Sequence, residues 1–195
     1  MKLLLRDRNG ALVKAWADAF AGDPDVSWST GDIFGVEADA LVSPANSFGF
    51  MDGGIDLAYL EHFGVALETR LQRHLALHHF GELPVGQAVV VETLDDRCPF
   101  MVSAPTMRIP MNVAATPNAY LAMRAALIAV RQHNLDHSRR ITTLLCPGLA
   151  SAIGGMPVQR VAAQMKLAWD VVVRGVTWPP PTGGKVLRAH HELVG

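Results

Sequence analysis

Three short stretches of this 195-residue chain hold residues whose types and spacing could do chemistry. The first is Gly31-Asp32-Ile33, where a carboxylate stands at the end of an apolar run. Such a carboxylate can accept a hydrogen bond from a ligand amine, and it can equally cap a turn. The second stretch runs from Ser43 to Asp56 through Asn46, Asp52, Gly53, Gly54 and Ile55. Paired glycines ahead of a helix let a ligand approach the backbone closely, with amide hydrogens and the positive helix end facing an anion. Asn46 adds a neutral donor and acceptor, and Asp56 is open to two readings, a helix N-cap or a reactive carboxylate. The third stretch, Cys146 to Pro157, holds Gly148, Ser151, Ala152, Ile153 and Gly154. Its small residues expose successive amides, so it reads as a second wall of an anion cradle or as an ordinary strand-to-helix connection.

The elements around these stretches alternate between short apolar runs and segments of helical period, the pattern of an α/β sheet. Leu3 to Leu5, Val26 to Ile33, Ala40 to Val42, Ala88 to Val91, Phe100 to Val102 and Arg140 to Cys146 read as strands. Ala11 to Ala21 places Leu12, Ala15, Trp16, Ala19 and Phe20 on one helical stripe. Asp56 to Phe80 reads as helical with a break at Gly64, and Leu67, Leu71 and Leu75 recur every four residues after it. Thr116-Pro117 predicts an N-cap and first helical position for a helix running to about His133, and Pro157 opens another that Gly175 closes. Ligands of open α/β sheets bind beyond the carboxyl ends of the strands, which is where all three stretches fall. From Thr177 onward, Trp178-Pro179-Pro180-Pro181, Gly183-Gly184 and His190-His191 predict a partly ordered tail. The division expected is one domain over 1–176 and a tail over 177–195.

Composition narrows the function classes. Half the residues are hydrophobic and 18% are charged, with a net charge of −1, which excludes a disordered chain. The same charge supplies no basic excess to displace phosphate counterions, so no extended nucleic-acid surface is expected. Cys98 and Cys146 are the only cysteines and lack a CxxC spacing, so neither a disulfide framework nor a structural zinc site is indicated. A reducing cytoplasm fits that usage. The opening Met1 to Leu5 is too short for a signal peptide, and no apolar run could span a bilayer.

In combination the stretches say more than they do singly. A strand ending in GDI, an (S/N)-x-A-N loop leading through glycines to an apolar residue and Asp, and a late strand followed by Pro and small residues resemble the macrodomain family. The resemblance covers about Gly31 to Gly175 and implies a three-layer α/β/α fold with a mixed central sheet. It also implies ADP-ribose as ligand, with no cofactor or metal, and an ADP-ribosylated protein or nucleic acid as partner. By position, Asp32 would accept the adenine amine and Ile33 would line the adenine pocket. Asn46 would contact the distal ribose. Gly53, Gly54 and Ile55 would form the first phosphate loop, and Gly148, Ser151, Ala152, Ile153 and Gly154 the second. Asp56 matches the aspartate that orients or activates water in hydrolytic members, so Asn46 and Asp56 are the catalytic candidates. The activity implied is mono-ADP-ribosyl or O-acetyl-ADP-ribose hydrolysis; the alternative is a non-catalytic ADP-ribose reader.

The chain also departs from the family pattern. Met51-Asp52 replaces part of a longer glycine run, and Gly154 stands where many members carry an aromatic. Asp52 is open to two roles, a solvated loop residue or a participant in catalysis, and Phe48 or Phe50 is a candidate for the missing wall. The GGGxxxxxxQEE-type signature of poly(ADP-ribose) glycohydrolases is absent. Neither GxxxxGK(S/T) nor GxGxxG is present, which argues against an NTPase or a dinucleotide dehydrogenase. His74 and His78 have the i,i+4 spacing of a zinc pair, but with no HExxH context or third ligand they and His79 read as a solvated helix face; Arg108, in a loop after a predicted strand, is open to a ligand contact or, as the preferred reading, a surface ion pair.

Overall fold

The computed structural model describes residues 1–179 and 182–195 and gathers the apolar runs into one six-stranded sheet. The strands are β1 (Lys2–Asp7), β2 (Val26–Thr30), β3 (Ala40–Ser43), β4 (Val89–Glu92), β5 (Phe100–Ser103) and β6 (Thr143–Cys146), in the order β2-β1-β6-β3-β5-β4. Every neighbouring pair is parallel except the antiparallel β4 and β5, so the sheet is mixed.

Alternating side chains along the strands feed two cores, as a period of two requires. Leu3, Leu5, Val42, Val102, Leu144 and Cys146 join the layer formed by α1 (Gly10–Ala19), α4 (Asn118–Asp136) and α5 (Val158–Val172). Leu41, Met101 and Leu145 turn the other way, toward α2 (Gly54–Phe63) and α3 (Val65–His79). Because both faces are covered, the inner strands β3, β5 and β6 are buried almost throughout, whereas the edge strand β2, Val26-Ser27-Trp28-Ser29-Thr30, alternates. On α1, Leu12 and Trp16 are fully buried, and on α5 so are Val161, Met165 and Trp169. The break expected at Gly64 is present, with φ at 84° between α2 and α3.

Several boundaries shift by a few residues from the sequence reading, and three of the shifts have a local cause. The strand expected to reach Ile33 stops at Thr30; Asp32 then caps a short 3-10 turn, Ile33–Gly35, by accepting the Phe34 amide. Helix α4 starts at Asn118 with Pro117 at the cap position, while the Thr116 hydroxyl donates to the Val113 carbonyl at 2.7 Å. The strand expected from Arg140 starts at Thr143, because Asn134 of α4 pairs with both the N–H and the carbonyl of Ile141 at 2.7 and 2.8 Å.

The tail expected over 177–195 holds a helix that the sequence reading did not name. A sixth helix, α6 (Gly183–Val194), buries Ala189 and lies along α5, where Gln164 donates to the Leu193 carbonyl at 2.9 Å. Trp178 meets Tyr120 of α4 with ring centroids 5.0 Å apart, on the opposite side of the sheet from α2 and α3. Pro180 and Pro181 of the expected proline run lie outside the described residues. Among the described residues no helix is long and apolar enough to cross a membrane.

Candidate functional site

Parallel strands end on the same edge of a sheet, so the segments after β1, β2, β3, β5 and β6 converge there. They enclose a cleft of about 470 Å³. Asp32, Ile33, Asn46, Gly53, Gly54, Ile55, Asp56, Gly148, Ser151, Ala152, Ile153 and Gly154 all line it. Residues expected to act together from three separate stretches are thus brought to one place.

At the β2 end, Gly31 has φ at 148°, and a side chain there would collide with Arg6. Arg6 passes beneath this turn, donating to the Asp32 carbonyl at 2.6 Å and to the Ser29 hydroxyl at 2.7 Å. The Asp32 carboxylate itself is half exposed. One oxygen accepts the Phe34 amide at 2.9 Å and the other pairs with Arg8. The Phe34 hydrogen bond and then the Arg8 guanidinium hold its pKa below the ordinary carboxylate range. Asp32 is therefore both a turn cap and a cleft residue. Phe34 beside it stacks on His62, with ring centroids 3.9 Å apart.

In the loop after β3, Asn46 closes its own turn. Its Oδ1 accepts the amides of Phe48 and Phe50 at 3.0 and 3.3 Å, and its Nδ2 donates to the Phe50 carbonyl at 2.8 Å. One N–H is left to face a ligand. Met51, which interrupts the glycine run, points into the α3 side of the core, and its amide donates to Glu68 at 2.8 Å. Asp52 is exposed but stands on the cleft wall. Phe50 lines the cleft while 53% exposed; Phe48 instead lies under the Arg108 guanidinium, 5.0 Å away.

Helix α2 begins at Gly54, with Gly53 as its cap and no side-chain capping bond. Its first-turn amides are left for solvent or ligand. Asp56 therefore sits inside the first turn, and the N-cap reading of that residue is overturned. Its side chain turns inward, is only 7% exposed, and accepts the Ser43 hydroxyl at 2.6 Å on Oδ1. Burial pushes its pKa up to about 6, opposed by the Ser43 hydrogen bond and assisted by the charge of Asp52.

The loop after β6 is shaped by close packing. The Gly148 amide donates to Asp7 at 3.0 Å, and a side chain at Gly148 would run into Leu12 and Ser151. Gly154 is buried, with its carbonyl accepting the Val113 amide at 2.9 Å; a Cβ there would meet the Ala150 carbonyl and Val113. An aromatic could not fit at this position, so the departure at Gly154 belongs to the local packing. The exposed Ile153 reaches across toward Gly54, bringing the two loops together over the cleft.

Sequence reasoning missed the β1 end, which contributes Arg6, Asp7, Arg8 and Asn9, and the segment after β5, which contributes Thr106, Met107 and Pro110. The signal was available, since both follow apolar strands. It also passed over Ser43 as the partner of Asp56. Arg108 forms the expected surface ion pair, with Glu82 at 2.7 Å. Among the described residues no group of three or more His, Cys, Asp or Glu is placed to hold a metal, and both cysteines are free and buried.

Comparison with known proteins follows the same lines. An uncharacterized protein of Aeropyrum pernix is 31% identical over 167 residues, spanning 86% of this chain and 79% of that protein. The macrodomain of Mycobacterium tuberculosis DarG superposes with a TM-score of 0.57 at 23% identity, covering 74% of this chain and 90% of that one. A mutant Oceanobacillus iheyensis macrodomain solved with ADPR gives 0.57 at 17% identity, covering 71% and 73%. Residues 42–165 match the family model for the Macro domain, and the chain belongs to that family.

Proposed function

We propose that the cleft binds ADP-ribose and that Asp56 activates water to release it from a mono-ADP-ribosylated protein or nucleic acid, or from an O-acetyl ester. The observation that carries this reading is the state of Asp56: a carboxylate almost removed from solvent, on the wall of a cleft between two amide-rich loops, with a pKa near 6. A base poised near the working pH combines the deprotonated form with useful basicity. In the step envisaged for a mono-ADP-ribosyl linkage, Asp56 takes a proton from water as the oxygen bonds to the distal anomeric carbon, and the target leaves with the electron pair of the broken bond; for an O-acetyl ester the same water adds to the acyl carbon and the ribose oxygen leaves, taking up the proton that Asp56 accepted. The pyrophosphate is held by backbone amides and the α2 N-terminus, since neither loop contains Lys or Arg. Asp32 accepts the adenine amine while keeping its Phe34 bond, and Arg8 yields or shares the second oxygen. The ADPR-bound Oceanobacillus macrodomain supports the choice of ligand.

Calorimetry with ADP-ribose on the wild type and Asp32→Ala, alongside assay of ADP-ribose release from carboxylate-linked, nucleic-acid-linked and O-acetylated substrates, tests the reading. Binding with turnover is expected; absence of binding overturns it. Binding without turnover on any substrate would establish the reader alternative, which the added carboxylate of Asp52 on the cleft wall favours.

A further inference from the structure

Ser43 ends β3, in register with Ser103 of β5, and its hydroxyl faces the α2 layer of the sheet. It is 1% exposed and donates to Oδ1 of Asp56 at 2.6 Å, a charge-assisted length. The second oxygen of Asp56 takes no hydrogen bond from the described residues and is not sealed from solvent, so it is the one open to the cleft. Asp52, four residues earlier, stands on the wall of the same cleft. Tyr59, the other titratable group beside Asp56 on α2, is fully buried and donates its hydroxyl to the Val42 carbonyl at 3.1 Å. Cys146, at the end of β6, is buried, and burial pushes its thiol pKa up. The remaining charged groups of the cleft, Arg6, Asp7, Arg8 and Asp32, belong to the β1 and β2 end.

We infer that Ser43 and Asp52 are positioning residues for Asp56, one through its hydroxyl and the other through its charge on the wall of the same cleft. The Ser43 hydroxyl fixes one oxygen and leaves the other facing the reacting water, while Asp52 resists the charged form of the same carboxylate across the loop. The burial of Asp56 alone would leave its orientation free and its charge too costly at neutral pH; the hydroxyl supplies a partner that favours the carboxylate. The Asp52 charge works the other way, which keeps Asp56 basic enough to accept a proton. The inference rests on the hydrolytic reading for its purpose, although the electrostatic device exists with or without turnover.

The test is a carboxyl 13C NMR titration of aspartate-labelled, ligand-free protein, with the Asp56 signal assigned by its loss in Asp56→Asn. Ser43→Ala is expected to raise the Asp56 midpoint by about one pH unit, the size of one charge-assisted hydrogen bond. Ser43→Thr, which keeps the hydroxyl, should stay near wild type, and Asp52→Asn should lower the midpoint. Ser103→Ala is the control, because Ser103 shares the register and the buried layer yet has no hydrogen-bond partner. Midpoints that do not move in Ser43→Ala and Asp52→Asn, or that move equally in Ser103→Ala, overturn the inference. If Ser43→Ala does not fold, the exposed Asp52→Asn and the hydroxyl-retaining Ser43→Thr still decide it. Where turnover exists, the acid limb of kcat follows the same two shifts; opposite NMR shifts without turnover on any substrate uphold the inference and defeat the hydrolytic reading alone.

Discussion

Asp32 and Asp56 line one cleft, yet the chain treats the two carboxylates in opposite ways. Asp32 follows β2 and Asp56 belongs to the segment after β3, and β1 and β6 lie between those strands. That places the two strand ends roughly 14 Å apart at ordinary strand spacing. Asp32 is half exposed, capped by an amide and paired with Arg8, so its charged form is favoured. Asp56 is buried against the α2 layer with one hydroxyl for company and a like charge nearby, so its charged form is resisted. Environments that push two carboxylates apart in this way assign them different work. A carboxylate whose charged form is favoured suits recognition of an amine, and one that exchanges a proton near neutrality suits chemistry.

The widest separation between the two ends should appear in kinetics. Asp56→Asn keeps the shape of the side chain and removes the proposed base, so turnover should fall by about 10²- to 10⁴-fold, the usual range for general-base catalysis. Its calorimetric affinity for ADP-ribose should stay within a few-fold of wild type. Asp32→Ala should do the reverse. Loss of a hydrogen bond to a charged acceptor weakens binding by about 1.5 to 3 kcal/mol, or roughly 10- to 100-fold, with turnover at saturation little changed. If both variants lost affinity and turnover in parallel, the division of roles between the two ends would collapse.

The same contrast has a pH signature in stability. The folded-state pKa of Asp56, about 6, lies above its unfolded value near 3.8. Its contribution is therefore fully present below pH 4, is lost as pH rises toward 6, and stays lost above. Asp32, with its pKa lowered, contributes in the opposite sense: its stabilisation is present above the unfolded value and is lost as pH falls through the folded one. Denaturant unfolding of ligand-free protein between pH 4 and pH 8 should show Asp56→Asn gaining on the wild type through pH 6. The gain should then level off at about 2 kcal/mol. A difference that stayed flat across the range would mean that Asp56 is not resisted in the folded state.

How much of this was legible in the sequence depended on whether the signal was local. The three loops were visible because each directly follows an apolar strand, and strand ends converge by geometry alone. The break at Gly64 and the stripe of Leu67, Leu71 and Leu75 were legible for the same reason. The burial of Asp56 was not, because it depends on which face of β3 Ser43 presents and on β5 filling the next place in the sheet. Asp56 also reads as an N-cap until the helix is seen to start two residues earlier, at Gly54. The Arg8 partner of Asp32 comes from the bend after β1, 24 residues earlier, and nothing near Gly31 announces it. Helix α6 was hidden by its opening glycines and the prolines before them, although Val186, Ala189 and Leu193 fall on a helical face. Its support comes from α5 rather than from local propensity.

The smallest effect separates the two glycines that lead into Asp56. Gly54 has φ at 59°, where an L side chain is strained, and Gly53 is extended at −159° with open space where a Cβ would stand. Gly54→Ala should therefore cost about 1 to 2 kcal/mol of stability. Gly53→Ala should cost about 0.5 kcal/mol, through weaker capping alone. Ligand affinity should fall in Gly53→Ala by more than its stability does, because nothing in the folded chain requires a glycine there while the residue lines the cleft. A methyl group at Gly53 would hold a phosphate away from the first-turn amides of α2. Chemical denaturation and ADP-ribose calorimetry on the pair give the answer: wild-type affinity in Gly53→Ala would move the phosphate contact off this helix end and detach Asp56 from the ligand it is proposed to serve.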